Sequence, residues 1–374
     1  EENVPRPTAR ELGITVGFYE PGLNNSITDV KNVKVGHITR IKRGVEIPGM
    51  PGKSEVRTGV TAILPGGGDV FNRHIVSSGF VLNGIGELSG LTQAIEWGWI
   101  ETPILLTNTA SVGTIQHGVV DYMLAKHPEL QETPRVIIPV VGETDDSFLN
   151  DVRIPTLVSK DATRAIELAK SGPVEQGSVG AGTGMTTFDF AGGIGTSSRV
   201  LPEAEGGYTI GVLVLSNFGK MRNITIDGTT VGRSLDKIFP METRRGACYG
   251  SVVTIVATDA PLLPNQLHRI SKRAALGLGR AGSHARSTSG EIILSFSIAN
   301  RVSREEKESR RPLTKFVGDH RINPIYEAVI EAVEEAVLNA MFCSTGMDGY
   351  NGHFCPGIPQ DKVLELINLK HKQA

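Results

Sequence analysis

Apolar and polar positions along the chain change period several times, and each change marks an element. Val33–Val35 and Val60–Leu64 are short β-branched runs set between Gly, Asn and Asp, which reads as strands joined by turns. Thr114–Leu124 has helical spacing. Val136–Val141 (VIIPVV) suits a buried strand, with Pro139 pushing it toward an edge or bulge. In Asp161–Lys170 the residues Ala165, Ile166, Leu168 and Ala169 repeat at helical spacing, and Ser171-Gly172-Pro173 stops the helix. The Gly-dense stretch from Gly177 to Gly195 predicts strands linked by tight turns.

Thr209–Leu215 (TIGVLVL) and Ser251–Thr258 (SVVTIVAT) are strong strand signals. Between them, Ser234 to Gly250 keeps no period and reads as an exposed loop or linker. Asn265–Leu276 is helical. Glu291–Ile298 alternates: Ile292, Leu294, Phe296 and Ile298 share one face, and Ser289, Glu291, Ser295 and Ser297 share the other, interrupted by Ile293. Asn323 is expected to cap a long helix running to Phe342, with Pro324 at its first position. The opening stretch Glu1–Gly22 is polar and irregular and is expected to cover the surface. Strands and helices mix without a regular βαβ repeat, so helices layered on sheets are expected, of the α+β class, rather than a doubly wound parallel sheet.

Composition narrows the function more than the fold. At 374 residues the chain is large for a single simple core. A net charge of −2 and 5% aromatic residues provide no field or stacking surface for nucleic acid or an anionic membrane. No apolar run approaches the length of a membrane span. Cys248, Cys343 and Cys355 cannot all pair, and their spacing suits neither a disulfide framework nor a metal site. A reducing, cytoplasmic setting is the default expectation. The first residue, Glu1, is not Met, which leaves room for a removed leader. The nine His are scattered, so no metal and no cofactor are expected. Gly277 to Gly282 fits G-x-G-x-x-G but follows a helix, whereas dinucleotide binding needs a strand before it and a helix after. The cluster Arg269, Lys272 and Arg273 reads as a solvated helix face.

The linker–strand junction carries the candidate chemistry. Ser251 begins a buried strand directly after an irregular segment, and Gly250 before it has no side chain to shield its carbonyl. A serine hydroxyl needs a neighbouring base. If the Gly250–Ser251 bond is cut, the freed α-amine, with a reference pKa of about 7.7–8.0, can be that base. Gly-Ser is also an ordinary way to start a strand. Ser289 and Glu291 lie two apart on one strand face and could relay a proton or hold an amine; a solvated face would read the same way. Asn217, where an apolar run ends, could donate to an oxyanion or serve as a turn residue. Glu143 could bind a substrate ammonium or sit in a solvated acidic turn with Asp145 and Asp146.

Taken with Asn25 to Val30 (NSITDV), Val35-Gly36-His37, Gly59 to Pro65 (GVTAILP), Asn83 to Leu88 (NGIGEL), Leu149-Asn150-Asp151, Gly180 to Met185 (GAGTGM), Ala257 to Pro261 (ATDAP) and Asn323-Pro324, these residues resemble the L-aminopeptidase/D-esterase family, which includes D-aminopeptidase-like and β-aminopeptidase members. The resemblance implies a four-layer αββα sandwich. It implies self-cleavage into 1–250 and 251–374, both parts of one domain, with Ser251 as nucleophile and Ser289 and Glu291 assisting. It places Asn217 near the oxyanion and Glu143 near the substrate amine. It implies small peptides or aminoacyl amides and esters as substrates, and homo-oligomers of cut units, tetramers among them. Asp145 departs from relatives that carry a tyrosine there. An ionised carboxylate cannot donate a hydrogen bond, so another group would have to replace the tyrosine. Two other readings remain at this stage: an acyltransferase of the ornithine acetyltransferase kind, although that group cuts before Thr, and a non-catalytic binding protein on the same fold.

Overall fold

Central strands that are apolar on both faces need covering layers on both sides, and the fold supplies them. A computed structural model describes residues 6–133, 135–239, 250–305 and 315–371. In chain order its strands are β1 (Lys34–Glu46), β2 (Lys53–Leu64), β3 (Arg73–Gly84), β4 (Trp99–Ile100), β5 (Ile104–Asn108), β6 (Val140–Thr144), β7 (Thr186–Thr187), β8 (Phe190–Ala191), β9 (Ile194–Val200), β10 (Thr209–Asn217), β11 (Gly250–Thr258), β12 (Ser289–Ser303), β13 (Met347–Asp348) and β14 (Phe354–Cys355). Its α-helices are α1 (Leu91–Glu96), α2 (Val112–Lys126), α3 (Ser159–Glu167), α4 (Gly232–Ile238), α5 (Pro264–Ala281), α6 (Asn323–Phe342) and α7 (Gln360–His371).

One sheet has the order β1-β2-β5-β6 and the other β4-β3-β12-β11-β10-β9. Alternation sorts their side chains. Val253, Ile255 and Ala257 of β11 and Ile292, Leu294 and Phe296 of β12 meet Ile63, Ile104 and Leu106 of the smaller sheet in a core between the sheets. Val252, Val256 and Ile293 turn the other way, onto α5 and α6. Val60, Leu105 and Val141 pack under α2 and α3. The layers are therefore α2/α3, small sheet, large sheet, α5/α6, which is the expected αββα sandwich.

Several sequence-based expectations need correction. The strand predicted at Val136–Val141 starts at Val140, because Pro139 has no N–H to give to a ladder; it continues through Glu143 to Thr144. The predicted loop from Ser234 contains the end of α4, and Gly250 already belongs to β11. Residues 240–249, including Cys248, lie outside the described residues. Asn323 is the first residue inside α6 rather than its cap, and the capping residue Ile322 makes no side-chain cap bond. α5 runs through the G-x-G-x-x-G stretch to Ala281, and Gly282 ends it in the left-handed region. The third helix stops at Glu167, and Lys170 pairs instead with Val35. Arg269 pairs with Asp319, and Lys272 and Arg273 lie over the rings of Phe80 and Tyr326, so this face is more engaged than a solvated one.

The N-terminal stretch does not simply cover the surface. Ala9, Ile14 and Val16 enter the α5/α6 core. The backbone N–H groups of Phe18 and Tyr19 donate to Glu331 of α6 at 2.7 and 3.1 Å. Arg199 of β9, fully buried, bonds both Glu331 at 3.1 Å and Glu335 at 2.6 Å. Arg10 reaches Glu335 from outside at 3.0 Å. Burial alone would raise the Glu335 carboxyl, but Arg10 and Arg199 hold it below its ordinary value. Arg199→Met should leave these carboxylates buried without their shared cation. A loss of about 3–5 kcal/mol is expected, read as a lower denaturant midpoint at unchanged slope.

Candidate active site

Strand register assembles the site. In β10 and β11, which run antiparallel, Asn217 lies opposite Ser251. In β11 and β12, which run parallel, Gly250 pairs with Ser289 and Ser251 with Gly290. Alternation then separates two groups. Ser251 shares the inter-sheet face with Val253 and Ile255, and Asn217 shares it with Leu213 and Leu215. Ser289, Glu291 and Gly250 belong to the opposite face, that of Val252 and Ile293. The predicted pairing of Ser289 with Glu291 on one face holds, but the face is buried rather than solvated: Glu291 is 0% and Ser289 5% exposed. On that side a narrow cleft is lined by Gly250, Ser289 and Glu291 together with Lys220, His284 and Arg286.

The peptide bond between Gly250 and Ser251 therefore has the serine hydroxyl on one side of the sheet and a carboxyl–hydroxyl pair on the other. The Gly250 N–H donates to the Thr288 carbonyl at 3.2 Å, which keeps the residue in line with the ladder. Ser289 Oγ donates to Glu291 Oε1 at 2.5 Å. Glu291 Oε2 is buried and accepts no hydrogen bond within the protein. Burial pushes the Glu291 carboxyl up, and the Ser289 hydroxyl offsets only part of this.

On the Ser251 face, Asn217 is fixed at both ends of its amide. Its Oδ1 accepts from the Thr186 N–H at 2.9 Å, and its Nδ2 donates to the Asp145 carbonyl at 2.7 Å. This bond brings the end of β6 to Ser251. Asp145 itself caps a turn, accepting from the Ser147 N–H at 3.0 Å and the Ser147 hydroxyl at 2.8 Å. Glu143 is a buried strand residue, 4% exposed, and not part of a solvated turn. Its Oε1 accepts from the Glu87 N–H at 2.8 Å, and its Oε2 from the Thr109 hydroxyl. Burial raises its carboxyl; the Thr109 and Glu87 bonds pull it down, and the carboxylates of Asp145 and Glu87 push it up again. Asp146 behind it is fully buried, its carboxyl pushed up to about 7. Sequence reasoning missed Thr109, Thr186 and the Glu87 N–H. All three act on a partner distant in sequence, and only the backbone of Glu87 is used, so no local pattern marks them.

Among the described residues no group of three or more His, Cys, Asp and Glu is placed to hold a metal, and no helix is long and apolar enough to cross a membrane. The sequence pattern of peptidase family S58 matches residues 25–355. The chain belongs to peptidase family S58. It is 37% identical to a β-peptidyl aminopeptidase of Sphingosinicella xenopeptidilytica, over 97% of this chain and 92% of that protein. The solved structure of a Burkholderia sp. β-aminopeptidase matches with a TM-score of 0.87 at 36% identity, over 97% of this chain and 99% of that one. The L-aminopeptidase D-Ala-esterase/amidase of Ochrobactrum anthropi, described as a variant of the Ntn hydrolase fold, matches with a TM-score of 0.89 at 34% identity, over 99% of this chain and all 100% of that one. As a member of S58 the chain is a serine-type aminopeptidase with an N-terminal-nucleophile hydrolase fold.

The raised Glu291 carboxyl has a consequence for the uncut chain. A carboxyl whose folded pKa is raised adds stability below its unfolded value, and that contribution is lost as pH rises through the folded value. Glu291→Gln, placed in a Ser251→Ala background that cannot mature, should raise Tm at pH 8. The gain should shrink toward pH 5; an equal gain at both values would contradict the assignment.

Proposed function

We propose that this S58 member matures by cutting its own Gly250–Ser251 bond, and that the new N-terminal serine then serves as the nucleophile. The Ser251 hydroxyl attacks the Gly250 carbonyl. The C–N bond breaks as the C–O bond forms, and the hydroxyl proton ends on the departing nitrogen. Water hydrolyses the resulting ester, leaving a Gly250 carboxylate and a free Ser251 amine. Residues 1–250 and 251–374 stay together because their strands share one sheet. The placement of the hydroxyl and the Ser289–Glu291 pair on opposite faces of one peptide bond carries this reading. Cleavage would release the amine toward a buried carboxylate and leave the hydroxyl facing Asn217.

In turnover the Ser251 hydroxyl attacks the carbonyl of a substrate's first residue. The Ser251 amine takes the proton and passes it to the leaving amine. Water then releases the acyl group. Glu291 and Ser289 hold the amine, Asn217 donates to the oxyanion, and Glu143 receives the substrate's ammonium. Asp145 acts through its backbone carbonyl, which orients Asn217, and its carboxylate adds negative charge near Glu143. Small peptides and aminoacyl amides or esters are the substrates. Membership of a peptidase family displaces the acyltransferase and binding-protein readings. We also propose a homo-oligomer, in keeping with the exposure of Val81, Leu82, Ile95 and Trp97 on β3 and around α1. A reducing, cytoplasmic setting is proposed on the number and spacing of the cysteines in the sequence alone.

Denaturing electrophoresis with intact mass should show wild type as two species ending at Gly250 and beginning at Ser251, and Ser251→Ala as one. A wild type that hydrolyses aminoacyl amides while uncut would refute the scheme. Glu143→Gln should still be cut, because maturation offers no free substrate amine. Its kcat/KM toward aminoacyl p-nitroanilides should fall at least about tenfold, a loss on the order of 1.4 kcal/mol in transition-state binding.

A further inference from the structure

The segment Asn83–Leu88 crosses from one sheet to the other directly over the site. Its first residues end β3 in the large sheet. There the Asn83 amide donates to the Ser289 carbonyl, and to the Arg286 carbonyl at 2.8 Å. At the far end Leu88 pairs with Gly142 of β6, and the Ser89 N–H donates to the Val141 carbonyl at 2.9 Å. Between these anchors the chain touches both halves of the site. A Cβ on Gly290, the partner of Ser251, would lie 1.9 Å from the Ile85 carbonyl oxygen, so Ile85 rests on the nucleophile's neighbour. Two residues later the Glu87 N–H holds Glu143 Oε1 at 2.8 Å, and the Glu143 N–H returns a bond to the Glu87 carbonyl at 3.2 Å. Gly86, at φ +150°, leaves room: a Cβ there would sit 3.0 Å from Glu143 Oε1.

We infer that this strap determines substrate specificity. By pressing on Gly290 at one point and fixing Glu143 at another, it sets the span between the Ser251 hydroxyl and the ammonium-binding carboxylate. That span selects how many backbone atoms separate amine and carbonyl in the accepted residue, and so discriminates α- from β-amino acids. The inference rests on the roles proposed above for Ser251 and Glu143. A displacement of a fraction of an ångström is enough, because misplacing a reacting group by about 1 Å can cost about 10²-fold.

The test compares kcat/KM for alanine and β-alanine p-nitroanilides in wild type and Gly86→Ala. The added methyl should push Glu143 and change the ratio of the two values about tenfold or more, while the chain is still cut. If Gly86→Ala fails to mature, Asn83→Ala carries the test: releasing the strap's anchor should draw the ratio toward one. A cut variant whose ratio equals that of wild type, or whose two values fall in proportion, overturns the inference. A wild type that is uncut and inactive on both substrates would instead defeat the functional reading beneath it.

Discussion

Everything at the site depends on the register of three adjacent strands. β11 pairs antiparallel with β10 and parallel with β12, and both ladders run without a break from Thr258 back to Ser251. Slipping one strand by one residue would move its whole set of side chains to the other face. Ser251 would then turn toward the helices, away from Asn217. The apolar packing on both faces of β11 forbids such a slip, since Val253 and Ile255 belong to one core and Val252 and Val256 to another. The Gly250–Ser251 bond thus inherits its geometry from hydrophobic burial several residues away. Strand β11 needs no special local device beyond a glycine on each side of Ser251: Gly250 in sequence and Gly290 across the ladder.

Around this frame the chain buries several charged groups, and they are handled differently. Glu331 and Glu335 are met by Arg199, Arg10 and two backbone N–H groups, which ties the N-terminal segment to α6. Glu143 is met by neutral donors only, a hydroxyl and an N–H, and so keeps capacity for a cation. Glu291 is met by a single hydroxyl, with one oxygen left over. The first arrangement suits a fixed structural joint. The other two leave unfilled demand for positive charge.

Much of this was legible from the sequence, and the exceptions have physical causes. β10, β11 and α6 could be read because long apolar runs with one period leave little choice. Ser251 stood out at a linker–strand junction, Asn217 and Glu143 at strand ends, and Ser289 with Glu291 as a pair on one strand face, and the family resemblance joined them. The start of β6 was misplaced because VIIPVV is apolar on both sides of a residue that cannot donate. The N-terminal segment was misjudged because its anchors are buried glutamates more than 300 residues away. The face of Glu291 was open to a solvated reading because alternation tells which residues lie together, not what covers them; α5 does, and Ser271 bonds Ser295 on that same face at 2.7 Å. The bonds of Thr109 and of the Asn83–Leu88 strap carry no local pattern, since a hydroxyl, the Asn83 amide and backbone atoms make them to distant partners; the strap showed only as a motif of the family resemblance.

The two unmet carboxyls also explain why cleavage would complete the site rather than merely expose it. In the uncut chain Glu291 forms no ion pair among the described residues, and burial favours its neutral form. Cutting creates an amine within the same ladder position. Once that amine carries a proton, the buried carboxyl gains the partner it lacks, and each group stabilises the charged form of the other. The amine must still give up its proton to act as a base. Burial of the amine itself opposes that mutual stabilisation by favouring its neutral form, which keeps it nearer to the proton-accepting range. A buried amine on the helix face and firmly bonded Asn217 and Glu143 side chains would then be complementary requirements. On the proposed scheme the first would keep the base near its neutral form, and the second would hold the substrate still while it acts.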